Sequence, residues 1–389
     1  MTTISVIMPT YNNETFISQA IDSILNQTFQ DFELIIVDDG SKDRTTDIVQ
    51  NYVDTYPSKL KLIKHANNRG AAEARNTGIK QSTTDILMLA DSDDVQGPNR
   101  IEALYQGLKG YDLVFNECLM IDHNNQPLNN IKSYPAYLTN QNIVTEMLKR
   151  NHFWSSLVML RKTDDVFFDS SLPSAEDFEL FLRLFLKGYK FNIVYEKLTL
   201  YRIHPNNLSG DTGKAQHSIA EVLKRLDLER LKLALLNNHP KIIVYEATAA
   251  AYMWREDYNQ AISLLEKNDL TIEGFFMLAV CYYKQNQLDD SLIIFNKLRK
   301  SSNNLAIKNN YIVIRTLRTK ERDQAFPELN QILAKEPNYI DAKYNLTCLI
   351  EDRLSDLRIT ERLLREQITV AQHYKSGDFN ERENNYFRS

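Results

Sequence analysis

The chain has 389 residues, a net charge of −5, 43% hydrophobic residues and 25% charged residues. That length suits two or three domains, and the composition is that of an ordinary globular protein. The acidic balance excludes a general nucleic-acid binder, whose footprint is a basic patch or stripe.

No run of about 18 apolar residues occurs, so no transmembrane helix is expected. The first residues lead straight into an apolar strand pattern, without the basic and apolar regions of a signal peptide. Cys118, Cys281 and Cys348 lack metal spacing and read as small buried hydrophobes. A cytoplasmic protein is expected, with at most peripheral contact at the inner face of the cell membrane.

Ile4 to Met8 is a β-rich run ended by Pro9. Phe16, Ala20, Ile21, Ile24 and Leu25 recur at helical spacing. Phe32 to Val37 is a second apolar run, stopped by Asp38-Asp39-Gly40-Ser41. Ile48, Tyr52 and Val53 mark the next helix; Leu60 to Ile63 reads as a strand, Ala71 to Lys80 as a helix, and Asp85 to Ala90 as a fourth strand. Continuous apolar strands between helices predict a mainly parallel, doubly wound α/β sheet of Rossmann type. Ligands bind such sheets beyond the carboxyl ends of the strands. Pro9-Thr10-Tyr11, Asp38-Asp39 and Asp91-Ser92-Asp93 then line one crevice.

From about residue 215 glycine nearly vanishes and the pattern becomes helical. Ala250 to Trp254 followed by Tyr258 to Leu265 resembles Ala279 to Tyr283 followed by Leu288 to Phe295. The offset is about 29–30 residues, somewhat short of the tetratricopeptide period. Asp323-Gln324-Ala325, Leu329, Ile332-Leu333 and Pro337 suggest a third copy, with its next helix near Ile340. This part resembles degenerate tetratricopeptide repeats, with an unrelated helical bundle as the alternative. A catalytic domain over 1–212, a helical linker over 213–240 and an all-α repeat-like domain over 241–389 are expected. Leu363, Leu364 and Ile368 extend an apolar stripe from Ile359 to Tyr374 that would cap the repeats or meet another subunit.

Carboxylates clustered at Asp91-Ser92-Asp93-Asp94 repel one another unless something neutralises them. Magnesium and manganese take such oxygen ligands together with substrate phosphates. Pro9-Thr10-Tyr11-Asn12, Asp38-Asp39-Gly40-Ser41, Asn68 to Gly78 and Asp91 to Asp94 follow in that order, each after a strand or at a helix start. With this ordered set the chain resembles glycosyltransferase family 2, the inverting enzymes of GT-A fold, over roughly residues 3–205.

The resemblance implies a hexosyl- or N-acetylhexosaminyl-transferase that moves a sugar from a nucleotide-diphosphate sugar, with UDP favoured. Pro9 belongs to its nucleotide-sugar set, and Tyr11 would offer a ring face to the base. Asp39 would accept a hydrogen bond from uracil, while Asp38 either does the same or caps its turn. Asn67 and Arg75 would contact base, ribose or diphosphate, the guanidinium fork matching phosphate oxygens. Gly70 and Gly78 read as backbone devices. Asp91 would touch the sugar nucleotide or a manganese or magnesium ion, with Asp93 as the main metal ligand.

Ser174 to Leu184 reads as a capped helix start and resembles the family's Glu-Asp motif. Inverting transfer needs a general base opposite the departing diphosphate. Asp177 is the candidate, with Glu176 as its orienting neighbour or an acceptor contact. Tyr201-Arg202-Ile203-His204 resembles the family's Tyr-Arg-x-His ending. It places His204 near diphosphate or metal and Arg202 near the leaving-group charge. Trp154 is either a sugar-stacking platform or a core residue.

Family members act on teichoic acid, capsule, other envelope glycans and proteins. The helical domain would serve oligomerisation or acceptor docking. A rival reading is a repeat-based protein-binding scaffold behind an inactive transferase. The intact acidic turn and Glu-Asp motif count against it. A nucleotidyltransferase usually has a glycine-rich, basic first turn, which Pro9 to Glu14 lacks.

Overall fold

The computed structural model describes residues 3–204 and 212–361. The chain forms two compact units, divided between Val222 and Leu223. The segment expected as a linker holds the last turns of one unit and the first helix of the next.

The first unit opens with β1 (Ile4–Thr10), α1 (Ile17–Leu25), β2 (Phe32–Asp38), α2 (Thr45–Thr55), β3 (Leu60–Lys64), α3 (Ala71–Gln81) and β4 (Ile86–Leu89). Every residue of β1 and β2 is buried, as expected for parallel strands covered on both faces. Ile17, Ala20, Ile21 and Ile24 of α1 recur at helical spacing and enter the core that holds Val6, Met8, Leu34 and Ile36. Gly78 lets α3 approach β1 closely: a Cβ there would lie 2.5 Å from Ile7 Cγ2. Gly70 precedes α3 with φ of 91°, a conformation that a side chain would strain.

The second half of this unit adds β5 (Val95–Gln96), α4 (Arg100–Gly107), β6 (Leu113–Ile121), β7 (Pro127–Lys132), α5 (Ile143–Lys149), β8 (Val158–Arg161), α6 (Glu176–Leu186), β9 (Phe191–Arg202) and α7 (Thr212–Lys224). The strand order is β3-β2-β1-β4-β8-β6-β9-β5, with β7 paired to β6. The first four strands are parallel. The parallel character expected from the first 115 residues stops there, because β8 pairs antiparallel with both β4 and β6. The whole sheet is therefore mixed. β9 runs parallel to β6 but with register shifts around Asn116, Glu117 and Cys118: Asn116 pairs with Val194, Glu117 with Lys197 and Cys118 with Thr199. β9 thus bulges before its end reaches Ile121 through Arg202.

The second unit is helical: α8 (Leu228–Leu235), α9 (Lys241–Trp254), α10 (Tyr258–Leu265), α11 (Ile272–Lys284), α12 (Leu288–Ser301), α13 (Leu305–Thr319), α14 (Ala325–Lys335) and α15 (Ile340–Ile350). Consecutive helices pack as hairpins on a core that includes Phe276, Val280, Phe295, Ile307 and Leu329. Thr271 and Asn304 cap α11 and α13 by accepting first-turn N–H groups. A buried polar knot stands in this core. Asn345 Nδ2 donates to Asn309 Oδ1 at 3.0 Å, and Asn310 holds Thr360 through both its backbone groups. Beyond residue 361 the apolar stripe with Leu363, Leu364 and Ile368 lies outside the described residues. All three cysteines are buried and free. No described helix is long and apolar enough to cross a membrane.

Candidate active site

The carboxyl ends of β1, β2 and β4 bring three turns together. Asp39 N–H donates to Thr10 O at 2.9 Å, Asn12 N–H to Ser41 Oγ at 2.9 Å, and Asn13 Nδ2 to Ser92 Oγ at 2.9 Å. Pro9 is buried inside the sheet opposite Val37, so it shapes the strand end. Tyr11, the next turn's tip, is 45% exposed.

Asp38 caps its own turn. Its oxygens accept from Ser41 N–H at 3.1 Å and from the Thr46 hydroxyl. Of the two roles the sequence left open, the geometry gives this one. Asp39 is also turned inward. Both its oxygens accept from Arg69 N–H, at 2.9 and 3.0 Å, one also from Gly70 N–H at 2.8 Å, and the other faces His65 Nδ1 at 2.7 Å. Asp39 thereby ties down the loop after β3, on which Asn67 is exposed. His65, which also reaches Thr77 Oγ1 at 3.0 Å, had no motif to reveal it.

The acidic turn follows β4. One oxygen from each of Asp91, Asp93 and Asp94 lies within 4.8 Å of the others. Asp94 is fully buried; its Oδ1 accepts Arg202 N–H at 3.0 Å and its Oδ2 has no hydrogen-bond partner among the described residues. Burial, then Asp93 and Asp91, push the Asp94 carboxyl well above its usual range. Asp91 is also raised by burial, against the pull of Arg75 and with the push of Asp93. Three hard oxygen donors crowded at this cost fit a divalent cation. Asp94 joins Asp91 and Asp93 as a candidate ligand, a role the sequence reading had not given it.

Arg202 and His204 hold this turn from below. Arg202 Nε donates to Asp93 O at 2.7 Å, and its terminal nitrogens to Asn125 Oδ1 at 2.6 Å and Gln19 Oε1 at 2.7 Å. The guanidinium stacks over Phe16 at 4.6 Å and is buried. Those donors all face protein. His204 Nε2 lies 2.9 Å from Asp93 Oδ2, with its ring against Phe16.

Arg75 joins the acidic turn to the Glu-Asp motif. Its two terminal nitrogens donate at 2.9 Å to Asp91 Oδ1 and to Glu176 Oε1, residues far apart in sequence. It is 5% exposed and lies over the Phe168 ring at 5.4 Å. Burial opposes the guanidinium charge, but Asp91 and Glu176 outweigh it and hold Arg75 firmly protonated.

Asp177 stands in the first turn of α6. The expected side-chain cap is absent: the residue before the helix is Ala175, with φ of 54°, and no side chain caps it. Asp177 Oδ1 instead accepts Phe178 N–H at 2.6 Å and Asn151 Nδ2 at 3.1 Å. Burial, then the neighbouring Glu176, push its carboxyl up to about 7, against the opposing pull of these donors and Arg75. Asn151 escaped the sequence reading because it belongs to no motif and reaches Asp177 only through the fold. Trp154, in the same loop, is half-buried against Tyr201, ring centroids 4.9 Å apart.

Residues 5–173 match the model of glycosyl transferase family 2. An uncharacterized glycosyltransferase of Haemophilus influenzae is 29% identical over 222 residues, 56% of this chain and 86% of that protein. The poly(ribitol-phosphate) beta-glucosyltransferase of Bacillus spizizenii is 27% identical over 61% of this chain, which spans only 40% of that relative. Among solved structures, S. aureus TarS 1-349 in complex with UDP-GlcNAc aligns with a TM-score of 0.53 at 18% identity, over 82% of this chain and 92% of that one. That likeness is one of fold. The first unit of the chain is a glycosyltransferase family 2 domain.

Proposed function

We propose that the chain transfers a sugar from a nucleotide-diphosphate sugar, UDP-linked, to a hydroxyl of a bacterial cell-envelope glycan, with inversion at the anomeric carbon. The observation that carries this reading is geometric: Arg75 bridges Glu176, the neighbour of Asp177, to Asp91 in a trio of metal-type carboxylates.

Asp177, as the carboxylate, takes the proton of the attacking acceptor hydroxyl. A base with a pKa near the working pH combines availability with proton affinity. Asn151 fixes its rotamer, and Glu176 raises its basicity. Tyr11, in the turn after β1, and Asn67, on the loop held by Asp39, offer the exposed surface for the base and ribose. Arg75 meets the diphosphate or sugar by sharing its fork. Asp91, Asp93 and Asp94 would hold manganese or magnesium, which neutralises diphosphate charge when bound. Arg202 and His204 keep that turn in place.

The UDP and envelope assignments draw support from the poly(ribitol-phosphate) relative and from the UDP-GlcNAc held by the TarS structure. The helical unit, read as tetratricopeptide-like, is assigned to acceptor docking or self-association at the inner membrane face. The test is release of nucleoside diphosphate from a panel of nucleotide sugars, with and without manganese. Metal-dependent turnover of one donor, lost in Asp93→Ala, is expected. Absence of turnover and of binding with every donor would leave the helical unit as the functional part.

A further inference from the structure

The stretch from Ser291 to Lys320 holds seven lysines and arginines and no carboxylate, in a chain whose net charge is −5. It forms most of α12 and α13. Arg315 and Arg318 are answered from neighbouring helices, by Glu328 of α14 and Asp289 of α12. Lys320 stands at the far end of α13. The other four gather where the last turns of α12 meet the first turn of α13. Lys297 and Lys300 are exposed and have no hydrogen-bond or ion-pair partner among the described residues. Arg299 Nε donates to Asn296 Oδ1 at 2.9 Å and Lys308 Nζ to Asn303 Oδ1 at 3.2 Å, so both have neutral partners. Lys335, exposed at the end of α14, adds a fifth charge. Burial, then Lys335, lower the Lys308 ammonium, so the two cations face each other across the helices.

The imbalance is local. Glu336 is the one carboxylate in the turn after α14, and Asp341 of α15 is answered by Arg358. In the turn between α10 and α11, Lys267 is outnumbered by Glu266, Asp269 and Glu273, so the positive sign is confined to α12–α14. The opposite ends of the same helices are neutralised, through Arg318–Asp289, Arg322–Asp352 and Arg353–Asp356. At physiological salt a charge is felt over only about 8–10 Å, so distant carboxylates do not cancel this field. Apolar side chains stand exposed beside it. Ile340, at the start of α15, is 62% exposed, and Ile293, at 55%, shares a face of α12 with Lys297 and Lys300 by its helical spacing. The Tyr311 ring in this patch is engaged by Arg299 at 3.9 Å and Arg315 at 5.4 Å rather than offered to a ligand.

We infer that this end of the helical unit is a docking surface for an anionic lipid bilayer, with Lys297, Arg299, Lys300, Lys308 and Lys335 over headgroup phosphates and Ile340 set among them. Flexible ammonium groups without a pocket suit mobile phosphates on a surface, and exposed apolar side chains among cations suit the boundary between headgroups and acyl chains. A soluble glycan would call for an open ring or for guanidinium forks, and four of these five cations are lysines. The inference deepens the inner-face reading of the helical unit, and its measurement needs no sugar transfer.

The experiment is flotation of the full chain with phosphatidylcholine vesicles, with and without about one third phosphatidylglycerol. Binding about tenfold tighter to the anionic vesicles is expected at about 0.1 M salt, and its loss at about 0.5 M. Lys297→Gln, Lys300→Gln and Lys335→Gln, combined, remove three exposed charges and strand no partner. Each cation near such a surface is worth about fivefold, so the combined variant should bind about a hundredfold more weakly. Lys64→Gln, Lys109→Gln and Lys190→Gln, combined, change the net charge equally from exposed positions of the other unit and should keep the binding. Equal binding to both vesicles, equal loss in the two triple variants, or a soluble glycerol-phosphate polymer that binds while anionic vesicles do not, overturns the surface. Vesicle binding without turnover of any nucleotide sugar refutes the transferase reading and leaves the surface standing. Turnover without vesicle binding does the reverse.

Discussion

Replacing Asp177 by Asn should remove activity and add stability at once. Asparagine keeps an oxygen that accepts Phe178 N–H and Asn151 Nδ2, the two bonds that hold the native side chain. What it loses is the charge. The Asp177 carboxyl titrates near 7 in the fold, against an ordinary value of 3.8. The folded protein thus binds a proton there that the unfolded chain has released. Stability falls as pH rises from about 4 to about 7, and the loss is complete above 7. At about 1.4 kcal/mol per pKa unit, the penalty at pH 8 is on the order of a few kcal/mol. Asp177→Asn should therefore raise Tm at pH 8 by several degrees and leave it unchanged near pH 4. Transfer to acceptor should fall about 100- to 10,000-fold, the usual weight of a general base. In the wild type, kcat/KM should rise with pH through about 7 as the base ionises. Paired melting curves and a pH–rate series read both. A variant that keeps transfer, or one that is no more stable at pH 8 than the wild type, refutes the reasoning.

Arg75→Met should strand Asp91 and Glu176, destabilising the unit by on the order of 2 kcal/mol after allowance for their partial exposure, as read by urea denaturation. Arg75→Lys should not restore it, because one ammonium cannot span both carboxylates. Glu33 is buried, and although burial raises it, donors from Lys61, Ser5 and Thr83 outweigh this and bring it down to about 2. Its contribution is present above the unfolded value near 4.5 and is lost as pH falls towards 2, so Glu33→Gln should cost about 2 kcal/mol at pH 7 and nothing at pH 2. Asn345→Ala should leave Asn309 and the Arg358 carbonyl without a donor and lower the helical unit's stability by about 1–3 kcal/mol, measured by its thermal transition.

The parts legible in the sequence were those with short-range signals. The apolar runs of β1, β2 and β4 and the turns after them read directly, because both faces of those strands are buried and each run ends in polar residues. The meeting of Arg75 with Glu176 left no such trace, since 101 residues separate them and α3 and α6 carry them together only in the fold. Helix α13 went unmarked for another reason. Asn309, Asn310 and Thr316 occupy buried positions on it, so the apolar stripe that would have announced a helix is broken by the polar knot that pins residue 360. Asp38 and Asp39 were recognised as important while their geometry was not, because a carboxylate that shapes a turn and one that greets a ligand have the same sequence signature.

The bulged stretch of β9 gives the site a point of adjustment remote from any substrate. Arg202 reaches Asp93 and Asp94 only because β9 carries more residues than β6 between the pairs Asn116–Val194 and Cys118–Thr199. Side chains alternate along a strand, so deleting one residue from 195–198 would turn the guanidinium to the opposite face of the sheet. The acidic turn would lose its support with every carboxylate still in the sequence. Length in that short stretch is therefore a selectable trait of its own: a lineage could lose the support of its acidic turn through a single codon deletion while every recognisable motif stays intact.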